Sequence, residues 1–433
     1  MSTLALLGGT PVRTERPWPG WPQYDAATEA ELLAALRSRR WAISWPSDGT
    51  RSRERRFAEA FARYNDVPYC VSVDHGSSAL VVALEALDIG PGDEVIVPVM
   101  TWVAPVTAVL RVGATPVLVD VDPETGCITP QTIRTGLSER TKAVITVHLA
   151  CTVADLDGIT ALTEEAGLAL IEDCAQAHGA QWRGRSVGTF GAVGCFSFQA
   201  GKVLAAGEGG AVITSDERLY LRAQQLRADS RRYPDHEVVP GETELVEVGE
   251  VMGGNYCLSE LAAAVLLDQL PRLDGQHEHR ERVAKELERG LSALGDFGPT
   301  PVPEQADRRS IYEYGLRFRP GTFGSAPVER VAEAISAELG MPWWPPDLPL
   351  HRSVMLRPET KRRFAKVWAG AGRDRALGRG YPGSERYRET TLMFHHMALL
   401  GDPTDAEDMV RALAKVRSRH AELESAAGPD ERS

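Results

Sequence analysis

With 433 residues, 43% of them hydrophobic and 25% charged, the chain has the composition of a globular protein long enough for two domains. A formal charge of -12, with no basic block to outweigh it, argues against a nucleic-acid binder. No apolar run is long enough to span a bilayer, and the opening MSTLALLGGTPVRTERPWPGW lacks the leader and apolar core of a signal peptide.

Residues Leu4 to Trp21 are rich in Pro and Gly and read as an extended arm over the body. Helical spacing covers Ala26–Leu36, and after the turn-forming Ser44-Trp45-Pro46-Ser47-Asp48-Gly49 it returns over Arg51–Tyr64. From Val67 onward strands and helices alternate. The predicted strands are Tyr69–Val73, Glu94–Val97, Thr115–Val121, Lys142–His148 and Leu168–Glu172. The predicted helices are Ala79–Leu87, a segment after Trp102, Gln131–Leu137 and Ala154–Ala166. Such alternation implies an α/β fold with a mostly parallel sheet covered on both faces. Val193–Phe198 and Gly210–Thr214 follow without a long helix between them, so the sheet is expected to be mixed at that end.

Beyond Asn255 a helix is expected over Ser259–Leu270 and, after Pro271, through Glu281–Leu294. A strand at Ile311–Phe318 and helices at Val328–Leu339 and Glu407–Arg417 then suggest a smaller α+β unit. The basic Arg357–Arg388 stretch, poor in large apolar residues, is the least legible part. These patterns divide the chain into an arm and helix (1–50), a large domain (51–270) and a small C-terminal domain (271–433).

The six cysteines show no C-x-x-C spacing and the ten histidines do not pair with them at zinc spacing. Buried free thiols in a reducing cytoplasm are therefore expected, and no metal.

The chemistry concentrates between Ile171 and Ala211. Asp173 ends an apolar strand, and Lys202 lies between Gly201 and the cluster Gly207-Glu208-Gly209-Gly210, with the Val193–Phe198 strand between the two. A lysine in a glycine-rich turn is commonly a solvated surface residue, and a strand-end aspartate is commonly a helix cap. In this order they match the two fixed points of a pyridoxal 5′-phosphate (PLP) enzyme: a Schiff-base lysine, and a carboxylate that keeps the pyridine nitrogen protonated. The Gly76-Ser77-Ser78 turn follows a strand and opens a helix, where amides and hydroxyls can receive a phosphate, and Ser197 offers a further hydroxyl. Trp102 could stack on a pyridine face, although a core aromatic is the commoner role.

With Asp173, Gln176, Ser197 and Lys202 in place, the chain resembles the fold-type I PLP aminotransferases acting on nucleotide sugars and cyclitols, the DegT/StrS family. The likeness rests on Gly90-Pro91-Gly92-Asp93-Glu94-Val95-Ile96-Val97-Pro98, Gly113-Ala114-Thr115-Pro116-Val117, Glu172-Asp173-Cys174-Ala175-Gln176-Ala177-His178-Gly179-Ala180 and Gly254-Asn255-Tyr256. The segments Leu7-Gly8-Gly9-Thr10-Pro11-Val12-Arg13, Trp41-Ala42-Ile43-Ser44 and Lys202-Val203-Leu204 look like its aminocyclitol branch. That branch moves an amino group from L-glutamine (or L-glutamate) to a keto-cyclitol such as 2-deoxy-scyllo-inosose or scyllo-inosose, in aminoglycoside-type antibiotic biosynthesis. The 3-amino-5-hydroxybenzoate synthases and the nucleotide-keto-sugar aminotransferases of the same family are the alternatives. The resemblance implies that Lys202 is the Schiff-base lysine and Asp173 the pyridinium partner. It places Gln176 near the phenolic oxygen, Trp102 on the ring, and Gly76, Ser77, Ser78 and Ser197 around the phosphate. It also sends Asn255 to the phosphate of the neighbouring subunit, so a homodimer with shared sites is expected; by its position alone Asn255 reads equally as a cap for the Ser259–Leu270 helix. Trp45, Cys257 and the Arg357–Arg388 stretch depart from the pattern at places that could touch substrate recognition.

Overall fold

Apolar, β-branched runs form the centre of the molecule, and the computed structural model describes residues 3–369 and 380–425. In chain order the main strands are β1 (Tyr69–Val73), β2 (Glu94–Pro98), β3 (Thr115–Val119), β4 (Thr141–Val147) and β5 (Ala169–Asp173). A small hairpin, β6 (Gln181–Trp182) and β7 (Arg185–Ser186), precedes β8 (Val193–Ser197) and β9 (Gly210–Thr214). The seven long strands form one sheet in the order β1-β9-β8-β5-β4-β2-β3. The run from β8 to β3 is parallel, while β9 is antiparallel to both its neighbours. The sheet is thus mixed at the predicted end, because no helix separates β8 from β9 and a parallel return would need one.

Helices cover both faces: α1 (Ala26–Ser38), α2 (Arg53–Tyr64), α3 (Gly76–Ala86), α4 (Ala104–Arg111), α5 (Pro130–Arg134), α6 (Leu156–Glu165), α7 (Glu217–Arg227) and α8 (Glu260–Gln269). In α3 the run Ser78–Leu84 is wholly buried, as expected of a helix apolar on every side. The sequence reading did not include α7. Its buried face carries Gln224, Gln225 and Arg227 beside Leu219, Ala223 and Leu226, and the polar residues mask the stripe. Arg227 pairs with Glu54 of α2 at 2.6 Å, both fully buried.

Beyond the paired β10 (Arg231–Arg232) and β11 (Val246–Glu247), the 22-residue α9 (Leu273–Leu294) leads into a four-stranded antiparallel sheet. Its strands are β12 (Phe297–Pro299), β13 (Glu313–Phe318), β14 (Trp343–Trp344) and β15 (Thr391–His395), in the order β12-β13-β15-β14. Helices α10 (Val328–Leu339) and Thr404–Ser418 pack with it. The N-terminal arm serves this smaller sheet: Leu4 is fully buried in its core, and Arg13 pairs with Asp405 and Asp408 at 2.7 and 3.0 Å.

The basic Arg357–Arg388 stretch corrects its sequence reading. Phe364, Trp368 and Tyr381 are buried in the same core as α4, so part of the stretch is anchored by large apolar side chains; its residues 370–379 lie outside the described ones. No helix among the described residues is long and apolar enough to cross a membrane.

Candidate active site

Several parallel strands end at one cavity of about 500 Å³, as open α/β sheets require of a ligand site. Val147 closes β4 and Asp173 closes β5, Ser197 closes β8, and Met100-Thr101-Trp102 follow β2; all of these residues line the cavity. Lys202 enters from the turn after β8, its N–H bonded to the Gln199 carbonyl at 2.8 Å.

One end of the cavity is built for an anion. His75, the residue before α3, makes no side-chain cap, so the first-turn amides of this 11-residue helix are open to a ligand. Gly76 permits the approach: a Cβ there would lie 2.6 Å from the Ser197 Cβ. Gly76, Ser77 and Ser197 line this end, whereas Ser78, 8% exposed, is buried behind it and does not.

At the other end Asp173 is buried, and its carboxylate accepts one backbone N–H, from Ala175, at 3.0 Å. Burial pushes its pKa up; the Ala175 bond and the charges of Lys202 and His148 oppose this. A cationic ring nitrogen would supply the charge that restores its ionisation. Gln176 gives its carbonyl oxygen to the Ala150 N–H at 2.6 Å, which leaves its NH₂ group free to donate into the cavity. Trp102 is 53% exposed and lines the opening; it is not a core aromatic. An anion cradle, a buried carboxylate, an amide donor and a lysine along one cavity fit a phosphorylated pyridine aldehyde.

Burial lowers the pKa of Lys202, while Glu313 and then Asp173 raise it. Its Nζ lies 3.9 Å from the Tyr312 ring centroid. Tyr312, Glu313 and Asp347 are lining residues that sequence reasoning missed. They come from the start of the interior strand β13 and the loop after β14, more than a hundred residues away, with no local motif to mark them. Burial and the nearby Asp347 push Glu313 up to about 7, against the pull of Lys202.

Besides Ser78, three singled-out positions lie off this chain's cavity. Asn255 is exposed, bridges to Ala228 and does not line it. Nor does Asn255 cap the following helix, because Ser259 does so through its hydroxyl and the Ala262 N–H, at 3.1 Å. Trp45 is 61% exposed on the surface, and Cys257 is half-buried with its Sγ 3.6 Å from the Arg227 carbonyl. The other five cysteines are buried free thiols.

His148, Glu172 and Cys174 bring three potential ligand atoms within 4.8 Å of one another. The Glu172 carboxylate is already engaged by the N–H groups of Gly188, Phe190 and Gly191, each at 2.7 Å. It anchors that turn.

The chain is 47% identical over 420 residues to an L-glutamine:2-deoxy-scyllo-inosose aminotransferase of Streptoalloteichus tenebrarius, covering 97% of this chain and 99% of the relative. It is 45% identical to an L-glutamine:scyllo-inosose aminotransferase of Streptomyces griseus, over 96% of this chain and 97% of that one. Among solved structures, 3-amino-5-hydroxybenzoic acid (AHBA) synthase superposes with a TM-score of 0.78 at 30% identity, over 93% of this chain and 99% of the other. The profile of the DegT/DnrJ/EryC1/StrS aminotransferase family matches residues 25–340. That span contains every residue that builds the anion cradle, the buried Asp173 and the Lys202 turn, and the chain is accordingly a PLP-dependent aminotransferase belonging to the DegT/DnrJ/EryC1/StrS family.

Proposed function

We propose that this aminotransferase moves the amino group of L-glutamine to a keto-cyclitol, 2-deoxy-scyllo-inosose or scyllo-inosose. Full-length identity of 45–47% to enzymes named for those reactions supports the reading. The observation that carries it in the structure is the charge of the cavity lining. Glu208, Glu313 and Asp347 line the cavity with Lys202 and His75, an acidic, hydrogen-bonding environment suited to a neutral polyol ketone. A nucleoside diphosphate or a benzoate would bring its own negative charge to these acids.

When bound, PLP supplies an aldehyde that captures amines and a ring that accepts the electron pair left at the neighbouring carbon. The open amides of α3 with Ser77 and Ser197 would hold its phosphate, Asp173 its positive ring nitrogen, Trp102 a ring face, and the Gln176 NH₂ would donate to its phenolic oxygen. Lys202 would anchor the aldehyde, and with a donor amine in the site its Nζ would carry the proton away from the donor α-carbon. Its depressed pKa leaves a larger neutral fraction for that task. The ketone then meets the same residues in reverse order, so the kinetics are ping-pong.

A homodimer is part of the proposal. Leu33, Leu36, Trp41, Trp45 and Met252 are exposed apolar side chains, and Asn255 is exposed without lining its own chain's cavity. We assign the cofactor to residues 51–270, with 1–50 as arm and helix and 271–433 as the smaller unit, in a cytoplasm that keeps the cysteines reduced. The test is a panel of keto-cyclitols, keto-sugars and nucleotide-linked keto-sugars, each with L-glutamine, L-alanine or L-aspartate, read by mass spectrometry. Glutamine with a keto-cyclitol should give the amine product fastest. Preference for a nucleotide-linked sugar, or no reaction with glutamine, refutes the proposal.

A further inference from the structure

The peptide that carries Lys202 is held from behind by residues outside the cavity. The Gly201 carbonyl lies 2.9 Å from His395 Nε2 and 3.2 Å from His396 Nε2. Which nitrogens carry the protons follows from the opposite edges of the two rings. His395 Nδ1 accepts the Met397 N–H at 3.3 Å, and His396 Nδ1 accepts the Arg280 Nε–H at 3.2 Å. Each Nδ1 is thereby an acceptor, so each Nε2 carries the hydrogen and donates to Gly201. One carbonyl takes two imidazole donors. The neighbouring Ala200 carbonyl takes the Trp21 indole N–H at 3.0 Å, and the Trp21 ring meets His396 edge-on at 4.5 Å.

Arg280 is fully buried; among the described residues its Nη1 and Nη2 have no hydrogen-bond partner and no carboxylate pairs with it. A buried guanidinium costs stability unless something uses it. The bond that its geometry completes is the one to His396. Burial, and after it the Arg280 charge, lowers the pKa of both histidines against the Gly201 bond, which keeps their Nδ1 atoms free to accept.

We propose that Arg280 is a positioning residue for Lys202. It fixes His396 in the Nε2–H tautomer, and that imidazole, with His395, holds the Gly201 carbonyl and so the backbone from which Lys202 projects. The inference rests on Lys202 being the reacting lysine of the proposed function. A lysine held in place lowers the cost of reaching the reacting geometry without changing how tightly the donor binds.

Four variants and one spectrum test it. Arg280→Met and His396→Ala should each slow the first half-reaction at saturating L-glutamine, read as the change in cofactor absorption, by roughly ten- to a hundredfold. The half-saturating glutamine concentration should stay within about twofold. The double variant should be no slower than His396→Ala alone, because the two act through one bond. Arg280→Lys, which can still donate to Nδ1, should recover much of the rate. Multiplying effects, or losses confined to thermal stability, overturn the proposal. If Arg280→Met does not fold, nitrogen-15 NMR of histidine-labelled wild-type holoenzyme decides: the proposal requires His396 neutral with its proton on Nε2, and a proton on Nδ1 overturns it. Failure of the donor assignment shows separately, as a wild-type protein that does not react with glutamine. Reconstitution of the apoprotein with PLP, trapped by borohydride on Lys202, then still reads the positioning, and equal rates for wild type and Arg280→Met overturn it.

Discussion

Lys202 and Tyr312 meet with the lysine Nζ 3.9 Å from the tyrosine ring centroid, although they belong to different sheets' neighbourhoods. A cation over an aromatic face is worth about 0.5–2 kcal/mol according to how dry the site is. If Lys202 is the reacting lysine, the ring would offer its free ammonium a resting place while a substrate occupies the site. Tyr312→Phe, which keeps the ring face, should remain within about twofold of wild-type kcat, whereas Tyr312→Leu should lose roughly five- to thirtyfold. Equal kcat for Tyr312→Leu and Tyr312→Phe, by steady-state assay, would remove the ring from the mechanism.

Lys202 itself gives the most direct test. The purified protein reconstituted with PLP should be yellow, and borohydride should attach the cofactor covalently to a peptide containing Lys202. Lys202→Ala should hold PLP without covalent attachment and fail to complete repeated turnovers. Multiple turnovers at near wild-type rate would refute its assignment.

Asp173→Asn separates a cofactor role from a structural one. Its carboxylate accepts one N–H, from Ala175, a bond whose loss costs about 1 kcal/mol of stability. Facing a pyridinium at about 4 Å it would contribute about 4 kcal/mol at an effective dielectric near 20. The variant should therefore melt within a few degrees of wild type while kcat falls by two orders of magnitude or more. An intact kcat would count against the assignment.

Asn255 allows a complementation test of the shared site. Lys202→Ala and Asn255→Asp should each be nearly inactive. If Asn255 reaches the partner's phosphate, half of the randomly exchanged dimers are mixed and each has one intact site, so roughly a quarter of the activity returns. No recovery after confirmed exchange of subunits would confine Asn255 to its own subunit.

Buried histidines predict loss of stability in acid. His178 is pushed down to about 3, and His277 and His396 well below their ordinary value, chiefly by burial. Their folded-state pKa values lie below the unfolded value of about 6.5. Their contribution is therefore complete above that pH and lost as pH falls toward the folded values, by up to about 1.4 kcal/mol per pH unit for each histidine. The urea midpoint should drop between pH 7 and 5, and His178→Leu should reduce that slope by the share of one proton. An unchanged slope would show that His178 is not held neutral.

Much of the large sheet was legible locally. Tyr69–Val73 and Gly210–Thr214 coincide with β1 and β9, because a short β-branched run bounded by turn residues has few alternatives. Val328–Leu339 coincides with α10, whose apolar positions recur at helical spacing. Helix α7 was missed because Gln224, Gln225 and Arg227 occupy buried positions that only the packing against Glu54 and its neighbours makes tolerable. The anchoring of Phe364 and Trp368 against α4 was missed because basic neighbours dominate the composition of that stretch.

The candidate site divides in the same way. Asp173, Gln176, Ser197 and Lys202 lie within thirty residues of one another, at the ends of the neighbouring strands β5 and β8 and in the turns that follow them, so their order along the chain already implies their convergence at the sheet's carboxyl edge. Tyr312, Glu313, Asp347, Arg280 and the His395-His396 pair carry no such mark. Each reaches Lys202 only through the docking of the four-stranded sheet and α9 against the large one, and that docking depends on the fit of two surfaces distant in sequence. Side-chain periodicity reports which face of a segment is buried, but not what lies against it.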